Sequence, residues 1–175
     1  MVPKHEIVAM EIMQNYIKAV KEDDVLKALK KNTRQFSKFL KEIPRNKINY
    51  AYAADKWTIK EILQHIVDAE RVFAYRALSF ARKDATPLPG FDENNWAANA
   101  GAATRKWNDL VKEFKDLRKS TERMFGSFTD DQLRAVGTAN GNPVNVLALG
   151  FLPAGHALHH IRIIRERYLQ KKRPA

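Results

Sequence analysis

Between residues 23 and 43 the apolar positions advance in steps of three and four, through Leu26, Leu29, Thr33, Phe36, Leu40 and Ile43. That spacing belongs to a helix that buries one seam in a bundle. Lys27, Lys30, Lys31, Arg34, Lys38 and Lys41 all fall off the seam and define a charged outer face. Upstream, Ile7, Met10, Ile17 and Val20 line one side of a separate short helix over about 5–21, which "KEDD" then breaks.

After the Pro-containing connector "EIPRNKINYAYAADK", the stretch Trp57-Thr58-Ile59-Lys60-Glu61 has the T-x-x-E form of a capping box. Ile59, Ile62, Leu63, Ile66, Phe73, Ala77 and Leu78 carry that helix to about residue 83, and His65 shares their broad face. "KDATPLPGFDENNWAANAG" is the longest break. A third bundle helix is predicted over about 102–126 on Trp107, Leu110, Val111, Phe114, Leu117, Thr121 and Phe125. "FTDDQLRA" reads as a short capped turn, and Asn140-Gly141 is the preferred pair for a two-residue hairpin. Asn145 caps a last helix running to about Leu169, within which Pro153 deletes a backbone donor and bends the chain one turn before His156.

These elements predict an all-α fold: a four-helix bundle with a long crossover, an extra short N-terminal helix and a tiny β-hairpin before the last helix. No repeat, low-complexity tract or linker interrupts residues 1–175, so a single domain with its core over about 24–170 is expected.

Composition narrows the chemistry. The chain has no cysteine, which excludes disulfides, Cys-ligated zinc, iron–sulfur clusters and a cysteine nucleophile of its own. The N-terminal stretch is charged throughout and no long apolar window follows, so neither a signal peptide nor a membrane span is expected and a cytoplasmic location is. A net charge of +11 raises the question of anionic partners. The basic residues are spread over separate helices without a nucleic-acid motif, so a solvated face is the reading preferred to a nucleic-acid surface.

"GHALHHIRIIRERYL" holds three of the five histidines. His156 and His160, four apart, stack on one helical face about 6 Å apart and can chelate one ion. His156 and His159 can also pair, in a less well aligned register. By itself H-x-x-x-H is a weak signal, and half-buried histidines satisfied by carboxylates or backbone are its commoner explanation. His65, on the apolar face of another helix, is either a core residue or a third ligand, which a helical bundle makes geometrically natural. His5 lies near the terminus.

Taken together, "KWTIKEILQHIVDAERVFAYRALSFAR" and, about ninety residues later, "AGHALHHIRIIRERYL" resemble the DinB/YfiT-like family of metal-binding four-helix proteins, which is unrelated to the DNA polymerase sharing the DinB name. The motifs are W-[ST]-x-x-E-I-x-x-H, from Trp57 to His65, and G-H-x-x-x-H, from Gly155 to His160. The resemblance spans about residues 24–170, and the "TPLPGFDENNW" loop is similar to one branch of the family. It implies one divalent transition metal on His65, His156 and His160, zinc or nickel first and iron or manganese as alternatives. It also implies a crossover between the second and third bundle helices, and a homodimer. Two styles of chemistry go with it: metal-dependent hydrolysis, or transfer or isomerisation of a small-molecule substrate using a low-molecular-weight thiol as cosubstrate. A non-catalytic metal-binding or nucleic-acid-binding helical protein is the competing class.

Three protein ligands leave positions open on a metal, the pattern of a catalytic site. Asp68, one turn beyond His65, can accept its second ring N–H or act as a base. Glu61 is claimed by the capping box. Asp92 and Glu93 lie on the long loop, either in water or as carboxylates of a lid. His159 belongs beside the site, and Arg162, Arg165 and Arg167 on the exposed side of the last helix. Pro153 and its flanking glycines are expected to loosen that helix. Phe73, Tyr75 and Phe80, around one helix, exceed one seam and suggest a dimer face there.

Overall fold

The computed structural model describes residues 2–170; Met1 and residues 171–175, included in the expected domain, lie outside the described residues. The chain forms α1 (Glu11–Lys18), α2 (Val25–Glu42), α3 (Ile59–Ala81), α4 (Glu93–Asn99), α5 (Trp107–Gly126), α6 (Asp130–Arg134), β1 (Val136–Ala139), β2 (Asn142–Asn145) and α7 (Val146–Ile163). A π-helical turn, Ile164–Tyr168, continues α7. Helices α2, α3, α5 and α7 make the bundle. Consecutive α2 and α3 each pack against both α5 and α7, so the long crossover from α3 to α5 is required to reach the far corner.

Local chemistry sets the boundaries. Asp24 caps α2 by accepting from the Lys27 amide at 2.7 Å, and Thr58 and Glu61 form the reciprocal box that opens α3. Thr129 and Gln132 repeat that device at α6. The β1–β2 turn uses Asn140 at φ 50° and Gly141 at φ 71°, the two positive values a tight hairpin of this hand demands. Asn145 caps α7 through Ala148 N–H at 3.0 Å. It also accepts from Val8 N–H and donates to the Glu6 carbonyl, tying the N-terminal segment to the start of α7.

The predicted seam of α2 is only half of its buried surface. Leu29, Phe36, Leu40 and Ile43 are buried, but so are Val25, Ala28, Asn32 and Phe39. The basic residues off the seam are exposed, as expected. The N-terminal helix is shorter than predicted: a 3-10 turn at Lys4–Glu6 and an extended link precede α1. The long break contains α4, and Leu88 within it pairs with the hairpin through Leu88 N–H to the Thr138 carbonyl and Asn140 N–H to the Leu88 carbonyl. Phe73 and Phe80 face the chain's own core, which leaves Tyr75, 60% exposed, as the aromatic open to solvent on α3. Pro153 is buried, and the glycines flanking it are close-packed rather than loosening: a Cβ at Gly150 would meet Phe125 and Val25, and one at Gly155 would run into the Tyr16 carbonyl of α1. No helix among the described residues is long and apolar enough to cross a membrane.

Two apolar clusters fill the bundle. One gathers α1, the hairpin and the first half of α7; the other gathers Phe36, Ile62, Phe114 and Ile161. Between them lies Arg118, fully buried. Its guanidinium donates to both oxygens of Glu70 at 2.9 and 3.0 Å, to Asn32 Oδ1 at 2.9 Å and to the Pro153 carbonyl at 3.2 Å. Asn32 Nδ2 in turn donates to the Ala154 carbonyl. Residues from all four bundle helices thus meet at a single polar node. Replacing Arg118 by Leu leaves the Glu70 charge buried and unpaired, which is expected to cost about 3–5 kcal/mol of unfolding free energy in urea titrations. The double variant Arg118→Leu, Glu70→Leu is expected to recover most of that loss; a single variant no less stable than the double would contradict the node.

Candidate metal centre

His65 lies two turns into α3, and the start of that helix is held twice. The capping box is made by Thr58 N–H to Glu61 Oε2 at 2.7 Å and Glu61 N–H to Thr58 Oγ1 at 3.2 Å. From the π-helical turn, the Tyr168 hydroxyl donates to the Trp57 carbonyl at 2.7 Å. The Trp57 ring then lies 4.8 Å from the His65 ring, tilted by 45°. His156 and His160 come from one face of α7, where Gly155 allows the α1 backbone to press close.

The three rings converge through their Nε2 atoms. His156 Nε2 lies 3.0 Å from His65 Nε2 and 3.0 Å from His160 Nε2, and the three ligand atoms all fall within 4.8 Å of one another. The rings meet at steep angles, 72–87° for the pairs. One nitrogen has one hydrogen or one lone pair in its ring plane. His156 therefore cannot form a well-directed N–H···N bond with both neighbours. A cation at the centre satisfies all three lone pairs, and nitrogens around a tetrahedral zinc with ~2.0–2.1 Å bonds stand about 3.3 Å apart. The donor set fits a metal ion.

Electrostatics prepares the same set. Burial pushes His65 down to about 4, with Glu93 acting weakly the other way. His160 is pushed down to about 3 by burial and then by His65 and His159, and His156 lies well below the ordinary histidine range for the same reasons. All three are neutral at pH 7, the form that binds metal. Among the described residues, His160 Nδ1 is the one fully buried side-chain nitrogen or oxygen without a hydrogen-bond partner, a cost of about 1–3 kcal/mol that the fold tolerates at this site.

Beside the histidines opens a cavity of about 350 Å³. Tyr16 of α1, Phe73 and Arg76 of α3, Phe91 and Glu93 of the crossover and Leu152 of α7 line it. Tyr16 packs edge-on to His156 and His159 at 5.6 and 5.1 Å, and burial followed by Glu93 raises its phenol's proton affinity.

Of the carboxylates singled out in the sequence, Glu93 reaches the cavity and Asp68 is turned elsewhere. Asp68 accepts from Gln64 Nε2 at 2.9 Å and Arg71 at 3.3 Å, and it borders a neighbouring groove. Asp92 caps α4 through the Asn94 and Asn95 amides. Glu61 stays in its box. His159 stands beside the cluster, 5.2 Å ring to ring from His160. Arg162, Arg165 and Arg167 are exposed, and so is His5. Tyr16 and Arg76 were missed. The signal for Tyr16 was Gly155, a residue that weakens a helix interior and so marks a close backbone approach. That for Arg76 was a cation three residues after Phe73 and one before Ala77, on the face those apolar positions define.

The arrangement is that of a helical bundle whose cavity ends in three converging imidazoles. The family model of the DinB superfamily matches residues 28–164, and the chain belongs to that superfamily. Among solved structures it is similar to YfiT from Bacillus subtilis, described as a probable metal-dependent hydrolase with an unusual four-helix bundle topology. That match has a TM-score of 0.71 and 15% identity over 91% of this chain and 87% of the other. It is also similar to the mycothiol-dependent maleylpyruvate isomerase, with a TM-score of 0.66 and 13% identity over 79% of this chain and 58% of that one. At these identities the likeness is one of fold. No curated protein matches the sequence.

The depressed histidines fix a pH dependence. An unfolded histidine takes up its proton near 6.5, whereas His65 in the fold resists until about 4. The unfolded chain binds more protons between those values, so stability must fall as pH drops through that window. Urea melts of the chelator-treated protein should show this slope, and a His65→Gln, His160→Gln variant should show less of it. Equal slopes in both proteins would contradict the neutral-cluster assignment.

Proposed function

We propose that His65, His156 and His160 bind one divalent transition metal ion and that the protein is a metal-dependent enzyme. In this reading it acts on a small molecule, either hydrolysing it or transferring an external low-molecular-weight thiol to it. The observation that carries the proposal is the convergence of three neutral imidazoles at the end of an accessible cavity. Superfamily membership supports it, as do the fold-level likenesses to a probable metal-dependent hydrolase and a mycothiol-dependent isomerase.

Zinc or nickel is proposed first; iron or manganese also accepts nitrogen donors of this kind. A divalent ion held by neutral ligands supplies Lewis acidity that brings the pKa of a bound water or thiol toward neutrality. The chain itself contributes the rest. Glu93, at the cavity wall nearest the crossover, takes the proton-accepting role expected of Asp68. Tyr16, whose phenol holds its proton firmly, donates a hydrogen bond. Phe73, Phe91 and Leu152 present an apolar wall to the substrate body. The chain has no cysteine, so a thiol nucleophile comes from solution. Homodimerisation belongs to the proposal too, resting on exposed Tyr75, Leu78 and Trp96.

Elemental analysis should find close to one transition metal per chain, and His65→Ala, His156→Ala or His160→Ala should each lose most of it while His159→Ala retains it. Full metal content in His65→Ala would sink the three-histidine site. The metal-loaded protein should turn over a member of an ester, amide or electrophile panel, with or without cellular thiols, and His160→Ala should not. Tight metal binding without turnover on any panel would leave a non-catalytic metal-binding protein.

A further inference from the structure

The metal reading leaves one wall of the cavity unexplained. Arg76 stands there, three turns along α3 from His65, beyond Ala69 and Phe73. It is 4% exposed. Its guanidinium donates to the Pro89 carbonyl at 2.6 Å, and among the described residues no carboxylate forms an ion pair with it. Arg118, the other deeply buried arginine, is by contrast matched by Glu70.

An arginine carries five N–H donors and keeps its charge at any ordinary pH. Burying that charge without a partner is costly, and burial does work against the charged form of Arg76. Among the described residues the fully buried side-chain atom without a partner is His160 Nδ1 and not any nitrogen of Arg76. Its unused donors therefore open onto water in the cavities it borders. These are the histidine cavity and the neighbouring groove lined by Tyr75 and Trp96.

We propose that Arg76 is the anion-recognising residue of the histidine cavity and that the small molecule bound there carries a carboxylate. This rests on the cavity being the substrate site, as argued above. A planar guanidinium matches a carboxylate through two parallel N–H···O bonds. Among the described residues Arg76 is the one arginine or lysine lining this cavity, and Phe73, Phe91 and Leu152 beside it suit a hydrophobic body attached to the carboxylate. The carboxylate end then lies at Arg76 and the reacting end at the histidines.

Benzoate, its neutral isostere benzamide and inorganic phosphate serve as probes, titrated calorimetrically into the full chain as purified and after chelator treatment. Benzoate should bind the wild-type chain more tightly than benzamide or phosphate. Arg76→Gln should weaken benzoate by about ten- to a hundredfold, the worth of a charge-assisted hydrogen bond, and leave benzamide unchanged. Arg76→Lys, which keeps the charge but loses the fork, should fall between; should the Gln variant fail to fold, this variant and the benzoate–benzamide contrast decide. Nuclear Overhauser contacts from the benzoate ring should reach Phe73 and Leu152. Benzoate that binds no tighter than benzamide, ignores Arg76, yields to phosphate, contacts Tyr75 and Trp96 instead, or does not bind at millimolar concentration would overturn the proposal. Arg76-dependent binding in a chain that takes up no metal would leave this inference standing and remove the metal reading. Metal at the histidines with benzoate indifferent to Arg76 would do the reverse.

Discussion

Arg118 is a full charge placed where water does not reach, and the bundle is arranged to make that tolerable. Its guanidinium takes a carboxylate from α3, an amide oxygen from α2 and a backbone carbonyl from α7. Each bond is directional, so each fixes the axial position of one helix against the others. Apolar packing alone tolerates small slips; a buried ion pair with defined acceptors does not. Glu70 lies five residues after His65, and Pro153 lies three before His156. The same node that registers the helices therefore sets the height at which histidines from α3 and α7 face one another.

What the fold brings together at that height is unfavourable without a further partner. Three imidazoles are desolvated, His65 lowers the proton affinity of both His156 and His160, and one buried ring nitrogen has no acceptor or donor to meet. Several devices hold the arrangement in place. Gly155 lets α1 cross α7 closely enough for Tyr16 to lie edge-on to His156. The Tyr168 hydroxyl anchors the Trp57 carbonyl, and the Trp57 ring stands against His65. A π-helical turn supplies that tyrosine, in keeping with the tendency of such turns to occur at functional sites. A cluster kept neutral, convergent and adjacent to a cavity is a set of ligands poised for a cation.

Much of this was legible in the sequence, and the exceptions share a physical cause. Local signals read correctly: the Thr58–Glu61 box, the Asn140-Gly141 turn and the Asn145 cap each depend on a few neighbouring residues. The seam of α2 and the spacing of the histidines follow from helical geometry. Long-range partners were not legible. Arg118 falls on the apolar seam of its own helix, four after Phe114, but the partners that make its burial tolerable, Glu70 and Asn32, arrive from other helices. Asp68 was placed near His65 by helical spacing, yet Gln64 and Arg71 hold its carboxylate in a chain of contacts that continues through Glu113 to Arg105. Gly150 and Gly155 read as loosening elements because their packing partners, Phe125 and the Tyr16 backbone, lie far away in sequence. Phe73 and Phe80 read as surplus apolar surface for the same reason.

Diffraction from crystals of the metal-loaded protein, recorded on both sides of the metal's absorption edge, tests the central claim most directly. One anomalous peak is expected within bonding distance, about 2.0–2.1 Å for zinc, of the Nε2 atoms of His65, His156 and His160 together. A peak bound to His156 and His160 but not His65, or one located away from the cluster, would contradict it.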